Sequence, residues 1–307
     1  MNSPRISVIT PYRDASLYLG AAIASVEAQS FADWELLLVD DGSIDDSRMI
    51  ADARAAADPR IRSFSNAPNG RSGAAGARNF ALKQAAGEYV AFLDADDIFL
   101  PDKLAHQSAK LDAFPDVAMV YGPTHWWYPD DPALDWIENV GPEALYDAPY
   151  LLDEIVLLLH GHVPCICAVM MRKSIVCDRG GFEDQFRLYE DQTLWVKVFS
   201  SEKILIDAVV TAQYRQHGSS VSAISVREGE YDRMGPHPAR SAFLDWAETY
   251  LRDHALYRAS SRSAMRRARA ALSGKYAALK VRDWTAILAY RSRRMRRGLL
   301  RRLQGSR

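Results

Sequence analysis

Short apolar runs alternate along this chain with longer stretches in which apolar residues recur at helical spacing. Residues 6–10 (Ile-Ser-Val-Ile-Thr) form a β-rich run closed by Pro11, and a helical pattern follows over 15–28. Residues 34–39 form a second strand, closed by Asp40-Asp41-Gly42-Ser43, with a helix predicted over 45–57. A strand at 61–65, a helix over 73–86 and an apolar run at 89–93 continue the series. Such alternation predicts an α/β fold: a mostly parallel, Rossmann-like sheet flanked by helices, with ligands over the carboxyl ends of its strands. Thr10 to Tyr12, Asp40 to Ser43 and Asp94 to Asp97 all lie at such ends.

A fifth strand is predicted over 117–122, after which periodicity is lost across 123–149. That segment holds Trp126, Trp127, Tyr128 and Trp136 among several prolines, a composition that suits a specialised loop. Residues 151–160 read as helical and 168–172 as a strand. Gly180-Gly181 breaks the chain, a helix is expected over 190–200, and short strands at 204–206 and 211–214 close the unit. Beyond about Pro238 the chain reads helical and increasingly basic. The expected division is a catalytic-type α/β domain over 1–222 and a helical, basic C-terminal extension over 223–307.

Charge sharpens that division. The net charge of −1 conceals 16 Lys or Arg against one acid, Asp283, from Arg258 onward; the first 257 residues hold 22 bases and 38 acids. A basic tail on an acidic body is an addressing feature. Its residues Trp284, Ile287, Leu288, Met295, Leu299 and Leu303 fall within one helical stripe that Arg291 and Arg302 interrupt. Basic amphipathic helices lie on anionic lipid, which would make this a peripheral protein of an inner membrane face; a solvated helix or an oligomer contact is the alternative. Nucleic acid is not an expected partner, because the basic run belongs to no binding module. The three cysteines, Cys165, Cys167 and Cys177, are too few for a disulfide framework and are expected as small buried hydrophobes in a reducing compartment. The N-terminus runs directly into a strand and no apolar run is long enough to span a bilayer, so a cytoplasmic location is expected.

The candidate chemistry centres on residues 88–104. The apolar run at 89–93 stops at Asp94, Asp96 and Asp97, and Pro101 is expected to open a helix. Asp94 and Asp96, two apart at a strand end, are expected to share a face and would present hard oxygen donors to Mg²⁺ or Mn²⁺ and a diphosphate. The competing reading is a helix entrance with Asp96 or Asp97 as its cap. Tyr12 and Asp40 would meet if the first two strands are neighbours; the ring could stack on a nucleobase and the carboxylate accept the imino N–H of a uracil or thymine, or each could be structural. No Gly-x-Gly-x-x-Gly follows the first strand, which disfavours a dinucleotide-binding dehydrogenase, and there is no Gly-Lys-Ser/Thr loop.

Taken together, Thr10-Pro11-Tyr12, Val39-Asp40-Asp41-Gly42-Ser43, Ala77-Arg78-Asn79, Asp94-Ala95-Asp96-Asp97, Gly180-Gly181-Phe182, Glu190-Asp191 and Tyr214-Arg215-x-His217 resemble the family 2 glycosyltransferases of GT-A fold, across roughly residues 4–222. The resemblance implies inverting transfer of a sugar from a nucleotide diphosphate donor with a divalent metal. It implies that Thr10, Tyr12 and Asp40 meet the donor base, that Arg78 helps hold the donor, that Asp94 contacts ribose or sugar, and that Asp96 ligates Mn²⁺ or Mg²⁺. His217 would complete the metal site, and Asp191 would be the general base that takes a proton from the acceptor hydroxyl. Against that stand a solvated loop histidine and a helix-favouring acidic first turn. Gly180 and Gly181 would bring backbone close beneath the sugar. Trp126, Trp127 and Glu190 are candidates for contact with a saccharide or lipid-linked acceptor, the aromatics being equally suited to a core or an oligomer surface; the sequence does not fix the oligomeric state. His160 and His162 match no motif and are expected to be structural. Two alternatives remain: a non-catalytic sugar-nucleotide-binding protein on the same fold, and a sugar-nucleotide pyrophosphorylase, whose Gly-rich basic loop the segment Pro11-Tyr12-Arg13-Asp14 does not supply.

Overall fold

Runs of consecutive apolar residues need cover on both sides, and strands so composed settle in the middle of a layered structure. The computed structural model describes residues 3–66, 72–232 and 235–304, with side chains as far as Ser292. In chain order β1 (Ile6–Tyr12), α1 (Leu19–Glu27), β2 (Trp34–Asp40), α2 (Ser47–Ala57), β3 (Ile61–Ser65), α3 (Gly73–Gln84) and β4 (Tyr89–Phe92) make the alternating series that the sequence predicts. Every residue of β1, β2 and β4 is buried.

The series continues with β5 (Ile98–Phe99), α4 (Lys103–Ala113), β6 (Val117–Tyr121), β7 (His125–Trp127), β8 (Trp136–Ile137), β9 (Ala144–Tyr146), a π-helical turn (Leu152–Leu157), β10 (Val169–Arg172), α5 (Lys173–Asp178), α6 (Glu190–Phe199), β11 (Lys203–Ile206) and β12 (Ala212–Arg215). Among the described residues an eight-stranded sheet runs β3-β2-β1-β4-β10-β6-β11-β9. Its first four strands are mutually parallel, β10 is antiparallel to both neighbours, and β9 is antiparallel to β11. A second sheet, β5-β12-β7-β8, stands at the carboxyl end of β4.

The two faces of the large sheet carry separate cores. Val8, Leu36, Leu38, Ala91 and Met170 pack with Leu19 and Ile23 of α1, Ala51 of α2 and Leu104 of α4. Ile9, Leu37, Val90, Phe92 and Met171 pack on the other face with Ala77 and Ala81 of α3, Leu194 and Trp195 of α6, and the π-helical turn. The C-terminal helices α7 (Val221–Arg227), α8 (Pro238–Asp253), α9 (Ala259–Leu272) and α10 (Val281–Gln304) follow. Phe243, Leu244 and Leu251 of α8 and Met265 of α9 are buried in that second core.

Several local expectations are corrected. Pro11 does not end β1, because β4 pairs with β1 only over Ile6–Ile9; beyond that point the proline's missing N–H faces no partner strand. Pro101 lies two residues ahead of α4, and the strand Ile98–Phe99 precedes it. The stretch 123–149 holds three short strands, two of which join the second sheet; alternation is invisible in strands of two or three residues. Cys167 is buried, but Cys177 is exposed. His160 is structural as expected: Nδ1 meets Glu154 at 2.9 Å and Nε2 meets Asp283 at 2.7 Å, and Arg267 also binds Asp283, tying the start of α10 to the body. In the predicted tail stripe Ile287 is buried while Trp284 and Leu288 are open. Met295, Leu299, Arg302 and Leu303 lie outside the described side chains.

A carboxylate crevice at the strand ends

Five carboxylates, Asp94, Asp96 and Asp97 after β4 and Glu190 and Asp191 at the head of α6, are held by a small set of partners. Past Phe92 the chain turns, Asp97 N–H donating to Asp94 O at 3.0 Å. Strand parity therefore no longer governs Asp94 and Asp96, and the expectation that they share a face fails. Asp94 Oδ1 accepts from Arg78 Nη2 at 2.5 Å, whereas Asp96 Oδ2 lies 2.9 Å from His217 Nε2. Asp96 and His217 are 121 residues apart in sequence and meet because β12 runs beside β5, just beyond the turn.

Arg215 secures this arrangement. Its backbone N–H donates to Asp97 Oδ1 at 2.9 Å, its Nε donates to Asp96 O at 2.7 Å, and its guanidinium lies over the rings of Trp127 and Tyr18. Asp97 is buried, and burial together with its neighbours Asp96 and Asp94 pushes its carboxyl well above the usual range. It is a latch for the turn, not the helix cap that its sequence position suggests. The Tyr-Arg-x-His motif names Arg215, which ends β12, but nothing in that spacing points to its grip on the distant Asp96–Asp97 turn.

Arg78 braces the other side. It is 1% exposed, lies over the ring of Phe182, binds Asp94, and sets Nη1 3.6 Å from Glu190 Oε1. So buried, it is placed to orient the two carboxylates. Burial pushes Asp191 up to about 7, aided by the charge of Glu190 and opposed by Arg78. Burial raises Glu190 also, again against Arg78. Asp191 Oδ1 accepts the Gln192 N–H at 2.7 Å.

The neighbouring Asn79 explains the glycine pair. Its Nδ2 donates to Phe182 O at 2.7 Å and its Oδ1 accepts from Phe182 N at 2.9 Å. Gly181 has φ 65°, and a Cβ there would come within 2.4 Å of Asn79 Oδ1. The glycine's conformational freedom and lack of a side chain are thus required here for packing against α3. Lys197 of α6 closes the turn by donating to Gly181 O at 2.8 Å.

At the far end of the crevice β1 and β2 place Tyr12 directly beside Asp40. Asp40 Oδ1 accepts the Ser43 N–H at 2.9 Å, and Arg48 approaches Oδ2 at 3.9 Å. Thr10, Tyr12 and Asp40 are almost fully buried, and the Tyr12 ring belongs to the core cluster, so it offers no open stacking surface. Asp41 receives Ser72 N and Gly73 N, capping α3; the helix-cap alternative holds for this carboxylate. Trp126 stacks on Trp136, meets Tyr214 edge-on and donates Nε1–H to Glu138, so much of its ring is used in packing. The structure thus brings Asp94, Arg78, Glu190 and Asp191 together, and separately Asp96 with His217.

One carboxylate and one imidazole suit Mn²⁺ or Mg²⁺ only in part, and among the described residues no three His, Cys, Asp or Glu side chains form a metal cage. That donor set fits an ion completed by oxygens of a bound diphosphate.

These features make up an α/β protein whose carboxylates gather at the carboxyl ends of its strands, and comparison places it. The family model described as glycosyl transferase family 2 matches residues 7–178, and the chain belongs to that family. It is 30% identical over 239 residues to the Escherichia coli UDP-Glc:alpha-D-GlcNAc-diphosphoundecaprenol beta-1,3-glucosyltransferase WfgD, covering 76% of this chain and 87% of that one. It is 46% identical over 104 residues, 34% of this chain and 40% of the other, to the Bacillus subtilis putative teichuronic acid biosynthesis glycosyltransferase TuaG. Its fold is that of S. aureus TarS 1–349 in complex with UDP (TM-score 0.56, 20% identity, 70% of this chain and 61% of that one). The mannosyltransferase PcManGT from Pyrobaculum calidifontis, in complex with GDP-Man and Mn²⁺, shares it too (TM-score 0.55, 20% identity, 95% and 80%). The fold is GT-A, and among the described residues no helix is long and apolar enough to cross a membrane.

Proposed function

We propose that this family 2 glycosyltransferase moves a sugar, with inversion, from a UDP-sugar to a hydroxyl of a saccharide carried on a lipid diphosphate, in the assembly of a cell-surface polysaccharide. The observation that carries the reading is the separation of the crevice into an Asp96–His217 pair and an Arg78-braced pair, Glu190 and Asp191. The WfgD name supports the donor and acceptor classes, and the TuaG name supports a polysaccharide product.

Asp40, beside Tyr12, accepts the imino N–H of the base, and Thr10 lines the same strand end. Asp94, aimed by Arg78, contacts ribose or sugar. Asp96 and His217 hold Mn²⁺ or Mg²⁺, which when bound offsets the charge developing on the departing diphosphate. Asp191, whose acidity burial brings near neutrality, takes the acceptor proton as the hydroxyl attacks the anomeric carbon. Glu190 and the Trp127 side of the second sheet, with what Trp126 leaves open, border the acceptor. Residues 1–222 form the catalytic unit and 223–307 an extension packed on it, whose basic α10 approaches anionic lipid from the cytoplasmic side.

The test is a panel of UDP-, dTDP- and GDP-sugars titrated by calorimetry with and without Mn²⁺, on the native chain and on Asp96→Ala. A UDP-sugar should bind more tightly with metal, and Asp96→Ala should lose that response. An unchanged metal response would overturn the site assignment. Binding without hydrolysis or transfer would favour the non-catalytic alternative.

A further inference from the structure

The carboxylate pair at the head of α6 is launched from a strained residue. Tyr189, immediately before Glu190, has φ 71°, in the left-handed region that a bulky side chain disfavours. Such a conformation persists only where its surroundings over-determine it. Those surroundings come from the C-terminal extension. The Tyr189 ring is buried, stacked on Phe243 of α8 with centroids 5.0 Å apart, and near-parallel to His237 at 5.9 Å. Tyr189 Oη lies 3.0 Å from His237 Nε2, and the Arg240 guanidinium covers the ring at 5.6 Å.

His237 performs two tasks. It caps α8, its Nδ1 accepting from Arg240 N at 3.3 Å. With Nδ1 accepting, the neutral imidazole carries its proton on Nε2 and donates it to Tyr189 Oη. Burial and the Arg240 charge both push the His237 imidazole below its ordinary titration range, against Asp232, so the neutral form is favoured.

We propose that His237 and Phe243 of α8 hold Tyr189 in its left-handed conformation and thereby set the aim of Asp191, making the C-terminal extension a positioning element of the transfer site. The inference rests on Asp191 being the base. Released from its clamp, the turn at Tyr189 relaxes, α6 shifts its first residues, and Asp191 loses its register with the acceptor hydroxyl. Asp96 and His217 meet between the β4–β5 turn and the end of β12, with no hydrogen bond or ion pair to α6 or α8 among the described residues, and donor affinity is kept.

The experiment separates His237's two tasks. His237→Gln keeps a side-chain donor that reaches Tyr189 but is a poor cap; His237→Asn keeps a good cap but is too short to donate. Each, with His237→Ala, Tyr189→Phe and Asp191→Asn, is assayed with UDP-glucose and a synthetic lipid α-GlcNAc diphosphate, with donor affinity measured on the same preparation. His237→Ala should lower kcat on the order of tenfold to 10²-fold at unchanged donor affinity, the scale for a misplaced catalytic group. The acid limb of its pH–rate profile should move to lower pH. Around Asp191 the charged groups are Glu190 on its own helix, Arg78 from α3 and Asp94 after β4, and the burial they share is partly lost when the turn loosens. His237→Gln should restore rate and profile, and His237→Asn should not. Rescue by Asn alone would make His237 a helix cap and overturn the inference. If His237→Ala does not fold, Tyr189→Phe, which loses only the hydroxyl, carries the test through its kcat and acid limb. An Asp191→Asn chain that transfers normally would overturn the base assignment and this inference with it. An inactive Asp191→Asn beside wild-type behaviour in the His237 and Tyr189 variants would overturn the inference alone.

Discussion

The two sides of the crevice are built by different means. On the β1, β2 and β4 side each contributing residue stands at the end of a parallel strand, and Tyr12 meets Asp40 through sheet register alone. On the α6 side the contacts that hold the turn are long-range. Asn79 reaches Phe182 across 103 residues, Tyr189 reaches His237 across 48, and a buried arginine joins Asp94 to Glu190. Strand ends place groups by topology, so small changes there act on one contact. The α6 side is placed by a mesh of buried polar contacts, so a change in one member disturbs the others.

The largest expected effect falls on that mesh. Asp191→Asn keeps size and hydrogen bonding but takes no proton at neutral pH, so transfer should fall by roughly 10²- to 10⁴-fold with donor affinity retained. The native rate should rise with pH through about 7, where Asp191 ionises. The same shift has a stability consequence. The folded chain binds this proton more tightly than the unfolded one, so the group's stabilising contribution is present below the ordinary carboxylate range and lost as pH rises through about 7. Asp191→Asn should therefore gain stability relative to the native chain between pH 5 and pH 8, as read by urea unfolding. A loss of donor affinity in parallel with rate would make Asp191 a donor ligand and erase the contrast between the two sides.

Arg78→Met tests the brace. Removing a buried cation leaves Asp94 and Glu190 uncompensated and should cost about 3–5 kcal/mol in denaturant unfolding. Arg48→Met, on the strand-end side, removes a half-exposed cation 3.9 Å from Asp40 and should cost less than about 1 kcal/mol. Similar costs for the two would break the comparison. Gly181→Ala should cost about 1–3 kcal/mol, combining a disfavoured φ with the clash against Asn79. Adding Asn79→Ala removes the clashing oxygen, so the double variant should be less destabilised than the two single costs added together. Additivity would mean that the strain lies in the backbone alone.

What the sequence made legible follows the same line. The strand–helix alternation through β4 was readable because its strands are four to seven residues of mostly apolar or β-rich composition and its helices carry apolar residues at helical spacing. Asp96 with His217, and Glu190 with Asp191, could be named from the resemblance, but not what holds them. Arg215's grip on the Asp96–Asp97 turn, Asn79's clamp on Phe182 and the Tyr189–His237 contact join residues from distant elements, and no local pattern encodes them. Tyr12 was misplaced because strand parity tells which face a residue takes but not how deeply the neighbouring helices cover it. The short strands between 123 and 149 escaped for want of length.

The smallest expected effect concerns a surface outside this contrast, the open side of α10. Several tail bases are already engaged: Arg269 with Asp245 and Glu248 and Arg282 with Glu154 of the preceding chain, and Arg267 with the tail's own Asp283. Net charge therefore overstates what the tail offers a membrane, and the exposed Trp284 and Leu288 become the residues to test. Changing both to Ser in the full chain removes apolar area without touching charge, while Ile287, buried against the body, stays in place to hold the helix. Sedimentation with vesicles containing anionic lipid should show binding weakened several-fold, and high salt should weaken the native chain further, since each base near the surface contributes about 1 kcal/mol. Donor hydrolysis in solution should be unchanged, because neither residue contacts the crevice elements. Equal vesicle binding by both chains at low and high salt would remove the membrane role from α10 and leave docking onto the body as its function.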